Sequence, residues 1–186
     1  MAVSQSIYQI KVTLNGSKPP IWRRVLVPEN ITLSKLHSVI QIAMGWYDCH
    51  LHLFQINQQS YGYPADDDYL DTRKKSETRY RLNKLINTKG QIFTYEYDFG
   101  DGWLHTILLE KILPIEEGHS YPVCIKGKGA CPPEDVGGIW RYQISLEAMA
   151  DPDHEEHANF LEWYGENFDP EAFSLEEVNT GLLRMK

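Results

Sequence analysis

The residues best suited to chemistry in this chain are His50, His52, Asp98, Asp101, His105, Glu134 and Asp135. His50 and His52 stand two positions apart, so a strand through them turns both imidazoles to one face, within reach of one ion. Asp98, Asp101 and His105 crowd the turn Asp98-Phe99-Gly100-Asp101-Gly102 and can add oxygen and nitrogen ligands. Glu134 and Asp135 can bring carboxylates from a loop rich in Gly and Pro, Cys131–Gly138. Mixed imidazole and carboxylate donors suit Zn, Mn or non-haem iron. The cofactor they imply is a divalent metal, with His50, His52, Asp101 and His105 as its ligand candidates. An ion held there lowers the pKa of a bound water and makes it a nucleophile, the chemistry of a nuclease-like hydrolase. The same side chains also have a purely structural use. Asp98 and Asp101 can bond the backbone of their own turn, and the histidines can be satisfied inside a polar corner of the core.

Three further sets are weaker. Cys124 and Cys131 are separated by six residues, which is not the C-x2–4-C spacing of zinc sites. They can complete a mixed site with His50 and His52, or serve as small buried thiols. Gly127-Lys128-Gly129-Ala130, preceded by Lys126, has the residue types of a phosphate cradle. It lacks the G-x-x-x-x-G-K-[ST] arrangement and reads better as a rigid loop over the neighbouring hairpin. Nucleic-acid contacts can come from Arg23 and Arg24, and from the basic stretch 73–89. That stretch holds Arg73, Lys74, Lys75, Arg79 and Arg81 against a single acid, Glu77. Tyr61, Tyr63 or Tyr80 are available to stack on bases. The alternative is an ordinary solvated face, with Arg24 stacked on Trp22 or paired with an acid.

The elements that must position these residues follow from periodicity. Ile7 to Leu14 alternates, with Tyr8, Ile10, Val12 and Leu14 on one face. Ile21 to Val27 continues as a strand that turns Ile21, Arg23, Val25 and Val27 one way and Trp22, Arg24 and Leu26 the other. Thr32 caps a helix to about Gly45, with Leu33, Leu36, Val39, Ile40 and Ala43 as its apolar stripe. A strand from His50 to Ile56 follows, then a loop holding Asp66, Asp67 and Asp68, and a short helix around Leu82, Leu85 and Ile86. Ile92–Tyr97 and Trp103–Ile112 form a central hairpin, whose turn takes positive backbone angles from Gly100 and Gly102. Phe93, Tyr95, Leu104 and Leu108 need cover, so the hairpin should lie inside the sheet. After a strand at Tyr121–Ile125 the chain reads as helical. Ser145 can cap one helix, Asp153 with Glu156 another, Asp169-Pro170 can open a third, and Ser174 with Glu177 caps the last. Strands early and helices late give one α+β domain over 1–186, with a mainly antiparallel or mixed sheet, helices packed against it and a helical C-terminal part.

At 42% hydrophobic the chain can bury a core and is not of disordered composition. Its apolar runs fall short of the ~20 residues needed to cross a bilayer, and its start lacks a signal peptide. Three cysteines do not make a disulfide framework. A cytoplasmic protein with no membrane partner is expected. The net charge of -8 opposes non-specific nucleic-acid binding, because phosphate neutralisation supplies most of that affinity. The charge is uneven: residues 142–186 hold 11 acids against 2 bases, so a basic face elsewhere can still bind phosphate.

Several short motifs occur in a characteristic order: Ile21-Trp22-Arg23-Arg24, Leu36-His37, Met44-Gly45-Trp46, His50-Leu51-His52-Leu53-Phe54, Tyr97-Asp98-Phe99-Gly100-Asp101-Gly102-Trp103 with His105, and Cys131-Pro132-Pro133-Glu134-Asp135 with Gly137-Gly138. Together they resemble the plasmid pRiA4b ORF-3-like family over nearly the whole chain, from about Ile7 to Leu183. The resemblance implies a single α+β domain of bacteria and archaea whose activity is not established. Some relatives are associated with plasmids or insertion elements, which implies a binding or regulatory module linked to DNA. No catalytic residue carries over, and the arrangement of a serine recombinase is not present.

Overall fold

The computed structural model describes residues 6–63, 74–165 and 167–185. Among these, eight strands form one sheet: β1 (Ser6–Leu14), β2 (Trp22–Pro28), β3 (His52–Ile56), β4 (Gln59–Gly62), β5 (Lys75–Ser76), β6 (Ile92–Tyr97), β7 (Trp103–Pro114) and β8 (Val123–Lys128). Their order is β5-β4-β3-β6-β7-β1-β2-β8. All neighbours are antiparallel except β4 and β5. Four helices complete the α+β architecture: α1 (Leu33–Met44), α2 (Gly138–Ala150), α3 (His157–Tyr164) and α4 (Leu175–Arg184).

Alternation decides which face is buried. Tyr8, Ile10, Val12 and Leu14 of β1 point into the core beside Ile21, Val25 and Val27. Helix α1 lies over that face because Leu33, Leu36, Val39, Ile40 and Ala43 form one apolar stripe. The Thr32 hydroxyl accepts the Lys35 N–H at 3.3 Å, and Gly45 ends the helix with φ 107°. Helix α4 closes the β8 side. The Asn179 side chain accepts the Cys124 N–H at 2.8 Å and donates to the Cys124 carbonyl at 2.9 Å, pairing backbone groups that an edge strand leaves open.

The β6–β7 hairpin is inside the sheet, as its aromatics require, but the phase of β7 differs from the expected one. Trp103, His105, Ile107 and Leu109 are buried, whereas Leu104 is exposed and Leu108 only half-buried. The turn also departs from expectation. Gly102 has φ 66°, but the other positive angle belongs to Asp98, at 55°, not to Gly100.

Local signals misplaced several helices. Residues around Leu82 form two 3-10 turns, Glu77–Arg79 and Leu82–Lys84, and no α-helix. Ser145 lies inside α2, where its hydroxyl donates to the Tyr142 carbonyl and meets the Tyr164 hydroxyl at 2.6 Å. Helix α3 starts at His157 without the Asp153–Glu156 capping box. Asp169-Pro170 makes a turn, with the Asp169 carboxylate accepting the Glu171 N–H. The Ser174 cap of α4 is present, accepting the Glu177 N–H at 3.2 Å. Asp66, Asp67, Asp68 and Arg73 lie outside the described residues.

Candidate metal centre

The segment Asp48–Leu51 leaves α1 through a turn, with Asp48 at φ 57°. It carries His50 over the end of the inner sheet face, edge-on to the Tyr97 ring at 5.8 Å. The Leu51 carbonyl accepts the Asp98 N–H at 2.9 Å, which locks this segment to the hairpin turn. The 131–138 loop arrives from the other side. Its Glu134 Oε1 accepts the Tyr47 N–H and the Tyr97 hydroxyl, both at 3.0 Å. Burial first, and then the Cys49 thiol and Glu134 carboxylate beside it, raise the Tyr97 pKa, so the phenol keeps the proton it donates.

Three carboxylates converge on one imidazole nitrogen. His50 Nε2 lies 3.1 Å from Asp135 Oδ1, 3.7 Å from Asp98 Oδ2 and 4.0 Å from Glu134 Oε2. Yet neither His50 Nε2 nor Glu134 Oε2 makes an aligned hydrogen bond, and both atoms are sealed from solvent. Two overlapping ligand sets share this residue: His50 with Asp98 and Asp135, and His50 with Cys49 and Glu134, each with ligand atoms within 4.8 Å of one another. Ligand atoms at about 2.1 Å from a common ion lie about 3.0–3.5 Å apart, so the cluster needs only small closure to hold one. Among the described residues, three of the five non-glycine residues with positive φ, namely Asp48, Asp98 and Asp135, stand in or beside this cluster. Backbone in sparsely populated regions persists where the surrounding structure enforces it, and it gathers at functional sites.

The other expected ligands go elsewhere. His52 does not join His50, because β3 begins at His52 while His50 belongs to the preceding turn. Instead the His52 ring stacks on His37 at 3.5 Å and 5°. His52 Nε2 meets Glu77 at 2.6 Å and His37 Nε2 meets Asp48 at 2.7 Å. Tyr95 accepts a hydrogen bond from Gln41 at 2.9 Å and lies 2.8 Å from His37 Nδ1, so its own proton goes to that nitrogen. Although His37, Asp48 and His52 are close enough for an ion, parallel imidazoles aim their in-plane lone pairs at different points. This group is therefore a satisfied polar layer of the core. Burial, followed by the neighbouring His52, lowers the His37 pKa, consistent with a neutral ring.

Asp101 stands outside the cluster: its Oδ2 accepts the Gly137 N–H at 3.0 Å and ties the turn to the start of α2. His105 is fully buried, edge-on to Trp46 at 5.2 Å, with Nδ1 3.3 Å from the Tyr95 carbonyl. Burial pushes its pKa down to about 4. The unfolded chain then binds a proton near pH 6.5 that the native state refuses until about pH 4. Stability is present above about pH 6.5 and lost as pH falls through that window, by about 3 kcal/mol. Urea titrations of wild type and His105→Leu across pH 4–7 should show a flatter acid limb in the variant; parallel limbs would refute this.

Cys124 and Cys131 do not approach the histidines. Both flank the Arg23 guanidinium, and burial raises both thiol pKa values. The cysteine at the centre is Cys49, whose only sequence signal is its adjacency to His50. The Gly127–Ala130 loop is no phosphate cradle, since the Lys128 and Gly129 carbonyls turn to Arg23. Arg23, expected to meet nucleic acid, is 3% exposed and also donates to the Ala43 and Trp22 carbonyls. Arg24 pairs through two nitrogens with Glu110 at 2.5 and 2.7 Å and lies over Trp22 at 5.2 Å. In the basic stretch, Lys75 lies over the Tyr80 ring and Arg81 donates to the Asn30 carbonyl at 2.6 Å. Lys74 and Arg79 stand in the same region, on the chain leading into β5 and in the first 3-10 turn. No helix among the described residues is long and apolar enough to cross a membrane.

Known proteins match this chain along most of its length. An uncharacterized protein, y4hQ, of Sinorhizobium fredii is 43% identical over 181 residues, covering 95% of this chain and 91% of its own. A crystal structure of a protein of unknown function, MM3350 from Methanosarcina mazei Go1, superposes with a TM-score of 0.87 at 39% identity. The match covers 94% of this chain and 98% of that one. The profile of the plasmid pRiA4b ORF-3-like protein matches residues 6–177. The chain belongs to the plasmid pRiA4b ORF-3-like family.

Proposed function

We propose that this domain binds one divalent cation among His50, Asp98, Glu134 and Asp135, with Cys49 at its edge, and uses the cation to activate water in a nuclease-like hydrolysis. The observation that carries this reading is the pair of solvent-sealed atoms, His50 Nε2 and Glu134 Oε2, which face each other without a hydrogen bond. A buried polar atom without a partner is costly, and three carboxylates around it add mutual repulsion. A cation removes both penalties. Tyr97 and the Tyr47 N–H hold one Glu134 oxygen and leave the other for the ion, the outer support that metal ligands need. One nitrogen and several carboxylate oxygens favour Mn2+, and the Cys49 thiolate would draw the preference towards Zn2+.

Elemental analysis and calorimetric titration with Mn2+ and Zn2+ test the reading. One equivalent of metal is expected. His50→Ala and Glu134→Gln should each weaken binding about 100-fold and abolish metal-dependent cleavage of a phosphodiester probe. A protein that takes up neither ion at micromolar concentration would refute it. Direct DNA binding through residues 74–89 has less support, because Lys75 and Arg81 are engaged, and Arg23 is held inside the fold.

A further inference from the structure

The sheet has a second face, opposite Tyr97 and the cation centre. Across β7, β1, β2 and β8 the register places Leu108, Lys11, Arg24 and Lys126 in one cross-strand row. The adjacent row holds Thr106, Thr13, Trp22 and Lys128. Side chains directly opposite on one face have Cβ atoms about 5 Å apart, and like charges at that spacing repel. Three cations therefore stand side by side on neighbouring strands. Glu110, bulged out of β7, neutralises Arg24, while neither Lys11 nor Lys126 is in an ion pair among the described residues.

This face is also open. Ile125 is 41% and Ile92 59% exposed. A shallow concavity of about 600 Å³ runs over it between Lys89, Lys111 and Ile125. Arg24 and its partner Glu110 line it, and Trp22 stands in the next cross-strand row, with Lys11 at 5.0 Å and Arg24 at 5.2 Å from the ring. A positive strip persists here in a chain of net charge -8. The fold offsets part of the repulsion within this strip, since Glu110 pairs with Arg24 and the Trp22 ring receives Lys11 and Arg24, but it gives Lys126 no ion pair among the described residues. An anionic ligand with flat apolar parts would reward such a row.

We propose that this open sheet face binds single-stranded nucleic acid, with phosphates along Lys11, Arg24 and Lys126 and a base against the Trp22 edge of the platform. A duplex would offer a flat surface only its phosphates and leave Trp22 and Ile125 unused, whereas a single strand offers both phosphates and unstacked bases. The proposal does not depend on the cation centre.

Fluorescence anisotropy with a labelled oligothymidine of about 20 nucleotides tests it. Binding at about 50 mM salt should weaken steeply by about 200 mM. The double variant Lys11→Thr/Lys126→Thr should bind at least about tenfold more weakly, with a salt slope lower by about two. Its denaturation midpoint should stay close to that of wild type, since the lost Lys11 contact with Trp22 is set against the relieved repulsion, and a retained midpoint shows that misfolding does not mimic the result. Lys35→Thr, which removes an exposed charge on α1, should leave oligothymidine binding unchanged, which separates this face from the chain's other lysines. Absence of binding at low salt, unaltered binding by the double variant, equal affinity for a duplex of the same length, or equal competition by poly-glutamate would each overturn the proposal.

Discussion

Arg23→Met should lower stability by about 3–5 kcal/mol, measured as the shift of the urea unfolding midpoint at constant m-value. Arg23 sits among Ile21, Val25 and Val27 on the buried face of β2, and no ion pair offsets its charge among the described residues. Four carbonyls hold it instead: Ala43 at 2.7 Å, Gly129 at 2.8 Å, Lys128 at 2.9 Å and Trp22 at 3.0 Å. The Phe173 ring covers it at 4.5 Å. Ala43 lies in the last turn of α1, whose carbonyls have no partner within the helix. The guanidinium thus joins the end of α1, the end of β8 and its own strand through one planar fork. Methionine fills similar space but takes the guanidinium donors away from four carbonyls. Arg23→Lys should recover only part of the loss, because a point ammonium cannot match the fork. A shift below about 1 kcal/mol for Arg23→Met would show that the carbonyls find other donors.

Gly138→Val should cost about 3 kcal/mol or more and weaken Mn2+ binding in the same protein. Gly138 has φ 78°, and a Cβ there would collide with the Asp101 carbonyl. The close approach joins the hairpin turn to the start of α2, next to the Asp101 carboxylate that accepts the Gly137 N–H. Pushing the two apart moves Glu134 and Asp135 away from His50, since both carboxylates ride on the loop that ends at Gly138. Gly165→Ala, also at positive φ but with open space around it, provides the comparison. It should lose stability without losing metal. Equal metal affinity in wild type and Gly138→Val would mean that the loop is positioned by the Tyr97–Glu134 bond alone.

Local periodicity made much of the fold legible. Alternation placed β1 and β2, and the stripe from Leu33 to Ala43 placed α1, because each signal lies within one element. Legibility ended where a residue's role depends on distant chain. The alternation of β2 already put Arg23 with Ile21 and Val25, but its carbonyl partners come from α1 and β8. His50 and His52 looked equivalent at two-residue spacing, yet the strand starts between them and sends each to a different neighbour. The partner of His52, His37, was hidden in an apolar helix stripe. Leu104 and Leu108 were given the wrong face because β7 alternates two apolar sets, and only Trp103 and His105 opposite Tyr97 and Tyr95 settle the phase. Around the candidate centre, Asp98, Glu134 and Asp135 were legible as acids in Gly-rich turns, whereas the proximity of Cys49 and Tyr97 was not, since nothing local distinguishes them.

The strand order also sets how the chain must fold in time. β1 pairs locally with β2 on one side, but on the other it pairs with β7, through contacts such as Thr106 to Asn15 and Gln9 to Glu110, 91 and 101 positions apart. During synthesis the β1–β2 hairpin therefore emerges long before the strand that covers its flank. Joining such distant segments carries a large loop-closure entropy before any contact rewards it, which places the chain among slow folders. Until β7 arrives, Ile10, Val12 and the edge of β1 stay open to other chains, so refolding yield should fall as protein concentration rises.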